Sequence, residues 1–344
     1  MKALLASVLL PILAFVLILG GATTYTMLEA FVFDREIGEV TVDRRPITEP
    51  VTTDGGFDTT VSGSSAETSG GSDDPVEPNE PEAVYPIIGD LYYKDANIEI
   101  TIEETYYTNK NLVENKIFIV DIKLTDVSYL KTFVNTNSNG KVNKTTVSDM
   151  AEKNNAVFAI NGDYFSYRER GYVIRNYIEW RSKARKRYDS FGDDALLILS
   201  DGSFRMIDEN DVSFASLPAD TYQCFSFGPR LIENGVIQVN WNSEVGQSAE
   251  ANPRTAIGIV EPLHYKIVVA EGRLDRYSGK DGMKLYEMAD VLASLGCTDA
   301  YNLDGGSSTT LYFNGRVLNE TPSSERKVSD CIYINGLSYF EEDN

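Results

Sequence analysis

The run from Ala300 to Thr310 surrounds a pair of glycines with a carboxylate, an amide and several hydroxyls. Two adjacent glycines remove the Cβ restriction on φ, so a ligand can approach the bare backbone and its N–H groups. The residues of this run that could hold a ligand are Asn302, Asp304, Gly305, Gly306, Ser307 and Ser308. A polar turn between two strands is the alternative for this run taken alone.

Three apolar segments end in the same way, with an acidic residue beside a glycine. The acids are Asp163, Glu271 and Asp304, and they follow strands predicted at 156–160, 266–270 and 299–303. Sheets that contain parallel strands bind ligands beyond the carboxyl ends of those strands. If the three strands are neighbours, the carboxylates line one cleft, although each acid alone could be an ordinary turn residue.

Two arginine segments complete this pattern. Arg230 follows an apparent strand, and Arg254 opens another. The planar arginine fork donates two parallel hydrogen bonds to a phosphate. Both side chains are therefore predicted to bind phosphate, with a surface ion pair as the alternative for each.

Histidine and cysteine are too scarce for several kinds of chemistry. His264 is the only histidine, which excludes histidine-rich metal sites and leaves a Ser-His-Asp triad dependent on this residue. Cys224, Cys297 and Cys331 are too few and too scattered for a disulfide framework or a thiolate zinc site, and at most one bridge could form. The chemistry therefore rests on carboxylates, arginines, amides and hydroxyls. No cofactor or metal is predicted, although an acidic cleft could hold calcium or magnesium.

Strands dominate the chain after about Tyr85. Period-two alternation predicts strands at 98–102 and 116–124, and a short helix at 146–154 precedes the strand at 156–160. Hairpin turns are predicted at Asp201-Gly202, Asn234-Gly235 and Asn314-Gly315.

The segment from 266 to 303 contains the most specific fold signal. A strand at 266–270 is followed by an amphipathic helix at 283–295, closed by Gly296, and by a strand at 299–303. This order predicts a parallel strand pair joined by a right-handed crossover. The predicted fold class is therefore α/β in the mixed α+β sense: one domain with a mixed, strand-rich sheet, few helices and at least one βαβ crossover.

Residues 1–33 are predicted to form a transmembrane anchor, because 3–28 contain no charged residue and a bilayer span needs about 20 apolar residues. A cleaved signal peptide is the alternative. Residues 34–84 hold thirteen acidic residues against three arginines among Gly, Ser, Thr and Pro, which predicts a disordered tether.

The tether carries about half of the net charge of −21, so the folded part is less acidic than the total suggests. An acidic chain is not expected to bind nucleic acid. The folded domain, predicted over 85–344, is expected outside the cytoplasm, held at the cell membrane by a single-pass anchor.

Five motifs between 98 and 337 resemble, in order, those of the phosphodiester glycosidase family. They are NGDYF at 161–165, GPRLIENG at 228–235, PRTAIGI at 253–259, EGR at 271–273 and YNLDGGSSTTL at 301–311. The resemblance implies that 85–344 form a mixed α/β catalytic domain that cleaves the bond between a sugar's anomeric carbon and a phosphodiester oxygen. The chain departs from the family at Ser307, where a third glycine is frequent, and at Glu271, where aspartate is common.

The chemistry of this reaction suggests roles for the candidate residues. Asp304 or Asp163 is expected to act at the anomeric carbon as nucleophile or as base for water, and Glu271 is the third catalytic candidate. The predicted substrate-binding residues are Asn161, Gly162, Arg230, Arg254, Arg273, Asn302, Gly305, Gly306, Ser307 and Ser308.

The expected substrate is a sugar-1-phosphodiester or phosphosugar polymer of the cell surface or an exopolysaccharide. Two other functions stay open, a non-catalytic module that binds phosphosugar polymers and a phosphodiesterase that cuts the O–P bond. Residues 180–187 form the one basic cluster, either a solvated strand and loop or a contact for an anionic polymer or lipid headgroups.

Overall fold

The computed structural model describes residues 86–185, 194–243, 250–273, 282–322 and 324–336. The anchor predicted at 1–33 and the tether predicted at 34–84 lie outside these residues and stay predictions. Within the described ranges no helix has the length and apolar character needed to cross a bilayer.

Short and medium strands form most of the described chain. In chain order they are β1 (Ile87–Gly89), β2 (Tyr92–Lys94), β3 (Ile98–Thr108), β4 (Glu114–Leu124), β5 (Lys131–Val134), β6 (Ala156–Asn161), β7 (Val173–Arg175), β8 (Ile178–Arg181), β9 (Asp194–Leu199), β10 (Phe204–Asp208), β11 (Thr221–Phe225), β12 (Arg230–Glu233), β13 (Val236–Ile237), β14 (Arg254–Glu261), β15 (His264–Ala270), β16 (Asp299–Asn302), β17 (Leu311–Phe313), β18 (Arg316–Val317) and β19 (Asp330–Asn335). The α-helices of the same residues are α1 (Val147–Lys153) and α2 (Leu285–Ser294).

These strands form three sheets. The largest has nine strands in the order β1-β2-β3-β4-β15-β14-β16-β12-β13. The two smaller sheets have five strands each, in the orders β10-β9-β11-β7-β8 and β18-β17-β6-β19-β5. Every strand pair assigned in the described residues is antiparallel. The fold is therefore mixed but mainly β, and the predicted strand-rich architecture with few helices is confirmed.

The predicted parallel pair around α2 is wrong. Strands β15 and β16 run in the same direction, but β14 lies between them and pairs antiparallel with both. The cause is a tight hairpin in which Glu261 pairs with His264, so β14 occupies the edge of β15 that β16 was expected to take. The βαβ crossover is not confirmed.

Alternating side chains of the large sheet serve two cores. On β15, Ile267 and Val269 face the main core shared with the two smaller sheets, whereas Val268 and Ala270 face α2. The apolar stripe of α2 covers that second face, with Leu285, Met288, Ala289 and Leu292 buried. One face of β15, which its period-two alternation makes apolar, therefore packs against the apolar face of α2.

Local sequence signals account for several element ends. The Thr146 side chain accepts a hydrogen bond from the Asp149 N–H at 3.1 Å and caps α1. Asn234-Gly235 and Asn314-Gly315 have positive φ at both residues, as tight hairpin turns of this type require, and Gly296 with φ +82° follows α2. The predicted turns and both helices are confirmed, with ends shifted by one or two residues.

Candidate functional site

The loop after β16 begins with Asp304, which is 8% exposed, and continues as a 3₁₀ turn over Gly306–Ser308. The Gly305 N–H donates to the Asp304 carboxylate at 2.8 Å. A Cβ on Gly305 would lie 2.8 Å from the Pro253 carbonyl oxygen, which also accepts the Gly306 N–H at 2.8 Å. Gly305 is therefore needed because the loop crosses the backbone that leads into β14, and Gly306 is favoured by its φ of +62°.

Asn161, at the end of β6, holds this loop in place. Its amide donates to the Asp304 carbonyl oxygen at 2.7 Å, and its side-chain oxygen accepts from the Thr255 hydroxyl at 2.8 Å and the Thr310 N–H at 3.2 Å. The Asp304 N–H donates to the Gly162 carbonyl oxygen at 3.3 Å. The structure thus brings the ends of β6 and β16 together, and it uses the Asn161 amide for structural contacts.

Gly162 is required by a close approach to β19. A Cβ at this position would lie 2.6 Å from the carboxyl carbon of Asp330. The Gly162 N–H donates to the Asp330 carbonyl oxygen at 3.1 Å. The close packing against β19 explains why this residue is glycine. A role of Gly162 in substrate binding stays a prediction.

The Asp163 carboxylate is fully engaged inside the protein. It accepts the N–H groups of Phe165 and Ser226, each at 3.0 Å, and lies 3.1 Å from a guanidinium nitrogen of Arg175. Burial alone would raise the pKa of Asp163, but Arg175 and then Arg168 outweigh burial and hold it below the usual value. A carboxylate with a lowered pKa is a weak base, so this environment favours Asp304 over Asp163 for proton transfer.

Arg175 joins Asp163 to a second buried acid. Its Nε donates to the Asp330 carboxylate at 2.7 Å, and the side chains of all three residues are almost wholly buried. Burial raises the pKa of Asp330 most strongly, and the negative charge of Asp163 raises it further. The positive charge of Arg175 only partly offsets this rise. This ion triad is linked to the Asp304 loop through Gly162, which packs against Asp330 and accepts the Asp304 N–H.

Asp304 has the opposite electrostatic environment from Asp163. Burial raises the pKa of its carboxyl, and the nearby Ser308 hydroxyl and Arg326 guanidinium only partly offset that rise. A carboxylate with a raised pKa is a better proton acceptor than an ordinary aspartate. Of the three predicted acids, Asp304 has the environment best suited to proton transfer at a ligand.

Arg254 and Arg273 lie beside the two glycines of the same loop. Arg254 is 4% exposed and donates to the carbonyl oxygens of Met283 at 3.0 Å and Glu250 at 3.1 Å. Burial, followed by the charge of Arg273, lowers the pKa of Arg254 to about 10. Two neighbouring cations, with no carboxylate bound to Arg254 in the described residues, form a site suited to an anion.

Arg273 is placed beside the glycine loop by an uncommon backbone conformation. Its φ is +57°, in the left-handed region, and its Nη1 lies 3.8 Å from the position of a Cβ on Gly306. Such conformations cost of order 1–3 kcal/mol and occur often at ligand sites. The exposed Arg273 and the buried Arg254 therefore both border Gly305-Gly306.

Arg230 makes ion pairs with protein carboxylates. Its guanidinium lies 2.6 Å from the Asp194 carboxylate and 2.8 Å from that of Glu233. A phosphate at Arg230 would have to compete with both carboxylates, whereas at Arg254 it would compete only with carbonyl groups. The structure therefore favours Arg254 as the phosphate ligand, and a phosphate role for Arg230 stays a prediction.

Glu271 fixes the segment that follows β18. One of its carboxylate oxygens accepts the Glu320 N–H at 2.7 Å and lies 3.9 Å from the Lys116 ammonium. Burial raises the pKa of Glu271. These contacts give Glu271 a structural role, and its catalytic role stays a prediction.

The remaining predicted ligands differ in how their polar atoms are used. Asn302 donates to the Gly228 carbonyl oxygen at 2.9 Å, while its own side-chain oxygen is buried without a hydrogen-bond partner among the described residues. Ser308 is buried beside Asp304, and Ser307 is half-buried. Asn302 and the serines thus lie around the same loop.

Two arginines beside Asp304 were missed by the sequence reasoning. Arg168 follows the NGDYF motif by a few residues and affects the pKa of both Asp304 and Asp163. Arg326 lies before β19 and has the larger effect on Asp304. The closeness of Arg168 to the motif was a usable signal, but nothing in the sequence around Arg326 connected it with this loop.

Two arginines of the basic cluster at 180–187 are turned into the protein, whereas Lys183 between them is exposed. Arg181 donates to the carbonyl oxygens of Gly171 at 2.7 Å and Phe165 at 2.9 Å, and Arg185 is buried. The interpretation of the cluster as a solvated strand and loop is therefore wrong for these two arginines. The last two residues of the cluster, at 186 and 187, lie outside the described residues.

The histidine and the three cysteines belong to the sheets and their cores. His264 contacts the Asp121 carboxylate at 2.7 Å on the large sheet. Cys224, Cys297 and Cys331 are buried free thiols. In the described ranges, no three His, Cys, Asp or Glu side chains are grouped so that they could hold a metal ion.

Comparison with known proteins gives a family match and two informative relatives. A family model described as phosphodiester glycosidase matches residues 154–335, more than half of the chain. The SPbeta prophage-derived uncharacterized protein YomE of Bacillus subtilis (strain 168) is 28% identical over 209 residues, which are 59% of this chain and 31% of that protein. The chain thus spans about a third of the length of this curated relative.

A solved structure shares the fold. The catalytic domain of zebrafish N-acetylglucosamine-1-phosphodiester alpha-N-acetylglucosaminidase, auto-inhibited by its pro-peptide, superimposes with a TM-score of 0.56 at 20% identity. The match covers 70% of this chain and 84% of that one. The part of the chain that carries the Asp304 loop therefore lies within the family match, in a chain that shares its fold with this solved structure.

Proposed function

The chain belongs to the phosphodiester glycosidase family, and we propose that it hydrolyses the bond between a sugar's anomeric carbon and a phosphodiester oxygen. One observation carries the proposal: Asp304, a buried acid with a raised pKa, lies on a loop whose glycines are bordered by Arg254 and Arg273. A carboxylate at the reacting carbon and cations at the leaving phosphate are what this reaction requires.

The proposed chemistry places little demand on an acid catalyst. The leaving group is a phosphate monoester, which is a weak base and leaves without being protonated. The harder step is to stabilise positive charge at the anomeric carbon, which a carboxylate does as nucleophile or as base for water. Asp304 supplies that carboxylate in the proposal, and Arg254 with Arg273 holds the departing phosphate.

The glycine pair has a part in the same proposal. Gly305 packs against the Pro253 carbonyl oxygen, but because Gly306 carries no side chain, the phosphate can approach the backbone there, beside Arg273. Asn302, whose buried side-chain oxygen has no partner in the described part of the chain, is available to a sugar hydroxyl. The first substrate to test is the methyl phosphodiester of N-acetylglucosamine 1-phosphate, after the printed name of the zebrafish relative.

Hydrolysis in oxygen-18 water tests the bond that is cut. We expect one labelled oxygen in the released sugar and none in the methyl phosphate, because water attacks carbon. Mass spectrometry of both products measures the label. Label in the phosphate would instead indicate a phosphodiesterase, and binding without any product would indicate a binding module.

Replacing Arg254 with lysine tests the phosphate contact. Lysine keeps the charge but cannot present two parallel donors, and a hydrogen bond to a charged group contributes about 1.5–3 kcal/mol. We expect kcat/KM for the methyl phosphodiester to fall roughly ten- to hundredfold. The exposed Arg205 on β10 provides the matched control, Arg205→Lys. An unchanged kcat/KM in a folded Arg254→Lys variant would show that Arg254 only supports the fold.

A further inference from the structure

We propose that the site binds two phosphates of one substrate at the same time. One phosphate lies at Arg254 and Arg273, and the second lies at Arg168 and Arg326. The inference rests on the proposed function and names its substrate class: a chain in which successive sugar units are joined by phosphodiesters.

Arg168 is a cation whose donors are unused within the described protein. It is half-buried, and all three guanidinium nitrogens are shielded from solvent without a hydrogen-bond partner in the described residues. A guanidinium has five N–H donors, and leaving them desolvated is costly. The guanidinium lies 5.6 Å from the centre of the Phe227 ring, a contact that uses none of these donors. An anionic ligand would satisfy them.

Arg326 is a second cation beside Asp304. Burial lowers the pKa of Arg326, but Asp304 and then Tyr167 outweigh it and leave the pKa raised. The guanidinium lies over the Tyr167 ring at 5.2 Å, and Tyr167 stacks on Tyr164 at 4.4 Å. No ion pair joins Arg326 to a carboxylate among the described residues.

The two arginine pairs come from different parts of the fold. Arg254 and Arg273 are supplied by the start of β14 and the residues after β15. Arg168 and Arg326 are supplied by the loops after β6 and before β19. Both pairs border the loop that carries Asp304, one at its glycines and one at its carboxylate.

Charge counting favours two phosphates over one. Around this loop and the ion triad next to it, the guanidinium groups outnumber the carboxylates by two, whereas one phosphodiester carries one negative charge. The guanidinium groups are those of Arg168, Arg175, Arg254, Arg273 and Arg326, and the carboxylates are those of Asp163, Asp304 and Asp330. A substrate with two phosphodiesters gives each arginine pair one anion. If Arg168 and Arg326 served only to balance Asp304, a second phosphate would add nothing to binding.

Binding of small phosphodiesters by the full chain tests this inference without turnover. The single-phosphate probe is methyl propyl phosphate, and the two-phosphate probes are the bis(methyl phosphates) of propane-1,3-diol and hexane-1,6-diol. Calorimetry at fixed ionic strength measures each affinity. We expect at least one two-phosphate probe to bind about tenfold more tightly than methyl propyl phosphate, or better, with one molecule per chain.

Single substitutions assign the gain to the second arginine pair. Arg168→Gln and Arg326→Gln should each reduce the affinity ratio of two-phosphate to single-phosphate probe to about two, the statistical value. Arg205→Gln, at an exposed position, should keep the parent ratio. Because the Arg168 guanidinium donates no hydrogen bond to the described protein, its variant should stay folded at the assay temperature, although it loses the charge that helps to hold the pKa of Asp163 low.

A ratio near two in the parent for both spacers, or an unchanged ratio in Arg168→Gln and Arg326→Gln, would overturn the inference. The outcome is separable from that of the proposed function. If the chain hydrolyses the phosphodiester but the affinity ratio is near two, only the second phosphate subsite is excluded. If the ratio is high but no hydrolysis occurs, two-phosphate binding is supported and the enzymatic proposal is excluded.

Discussion

Replacing Asp304 with asparagine is expected to reduce turnover of the methyl phosphodiester of N-acetylglucosamine 1-phosphate by about 10²–10⁴-fold. Asparagine keeps the shape of the side chain, and its oxygen can still accept the Gly305 N–H. The substitution removes the charge and the basicity on which the proposed role depends. Steady-state kinetics measure the loss, while calorimetry should show that the variant still binds the phosphodiester.

The control for this substitution is Asp299→Asn, which removes a carboxylate at the other end of β16. Asp299 accepts the Asn234 N–H at 3.2 Å and lies in a turn contact away from the glycine loop. Its variant should keep turnover within a few-fold. If Asp304→Asn also kept turnover within a few-fold while melting near the parent temperature, Asp304 would not be the catalytic carboxylate.

The pH profile gives a second measurement on the same group. A base must be deprotonated, so activity should fall as the pH drops through the pKa of Asp304. Because burial raises this pKa, the acidic limb should lie above the ordinary aspartate value of about 3.9. The residual activity of Asp304→Asn should lack this limb.

Much of the site could be predicted from the sequence because its residues lie in short motifs at strand ends. Asp304, the glycine pair and Arg254 were selected from residue type and position, and the structure places them together. The sequence could not show which polar atoms are already used. Asn161 and Asp163 come from the same motif, but their side chains bind the protein's own backbone, Thr255 and Arg175.

Other features depended on contacts between distant segments. Arg326 approaches Asp304 only because β19 pairs with β6, a contact between segments far apart in sequence. The order of strands around α2 was missed because the Glu261–His264 hairpin carries no glycine and places Leu263 at φ +68°. Turn signals with glycine, such as Asn234-Gly235, were reliable because their backbone conformation favours that residue.

The triad of Asp163, Arg175 and Asp330 should be the most sensitive structural element near the site. Arg175 is fully buried and neutralises two carboxylates that hold the loop after β6 and the start of β19. Removing one member of a buried ion network leaves uncompensated charge, which typically costs about 3–5 kcal/mol. Arg175→Met is therefore expected to lower the free energy of unfolding by about that amount at pH 8, measured by urea denaturation.

The pH dependence of this loss distinguishes charge from packing. In the parent, Arg175 holds the pKa of Asp163 below its unfolded value, so this carboxylate stabilises the fold above that value and the contribution is lost as the pH falls. Without Arg175, burial should raise the pKa of both acids above about 3.9, so stability should be lost as the pH rises through the raised values. The loss of unfolding free energy caused by Arg175→Met should then be smaller at pH 5 than at pH 8, and adding Asp330→Asn should recover part of it.

Exposed controls such as Arg205→Met should stay within about 0.5 kcal/mol of the parent. If Arg175→Met cost the same at both pH values, or less than about 1 kcal/mol, the triad would contribute packing volume and no essential charge balance.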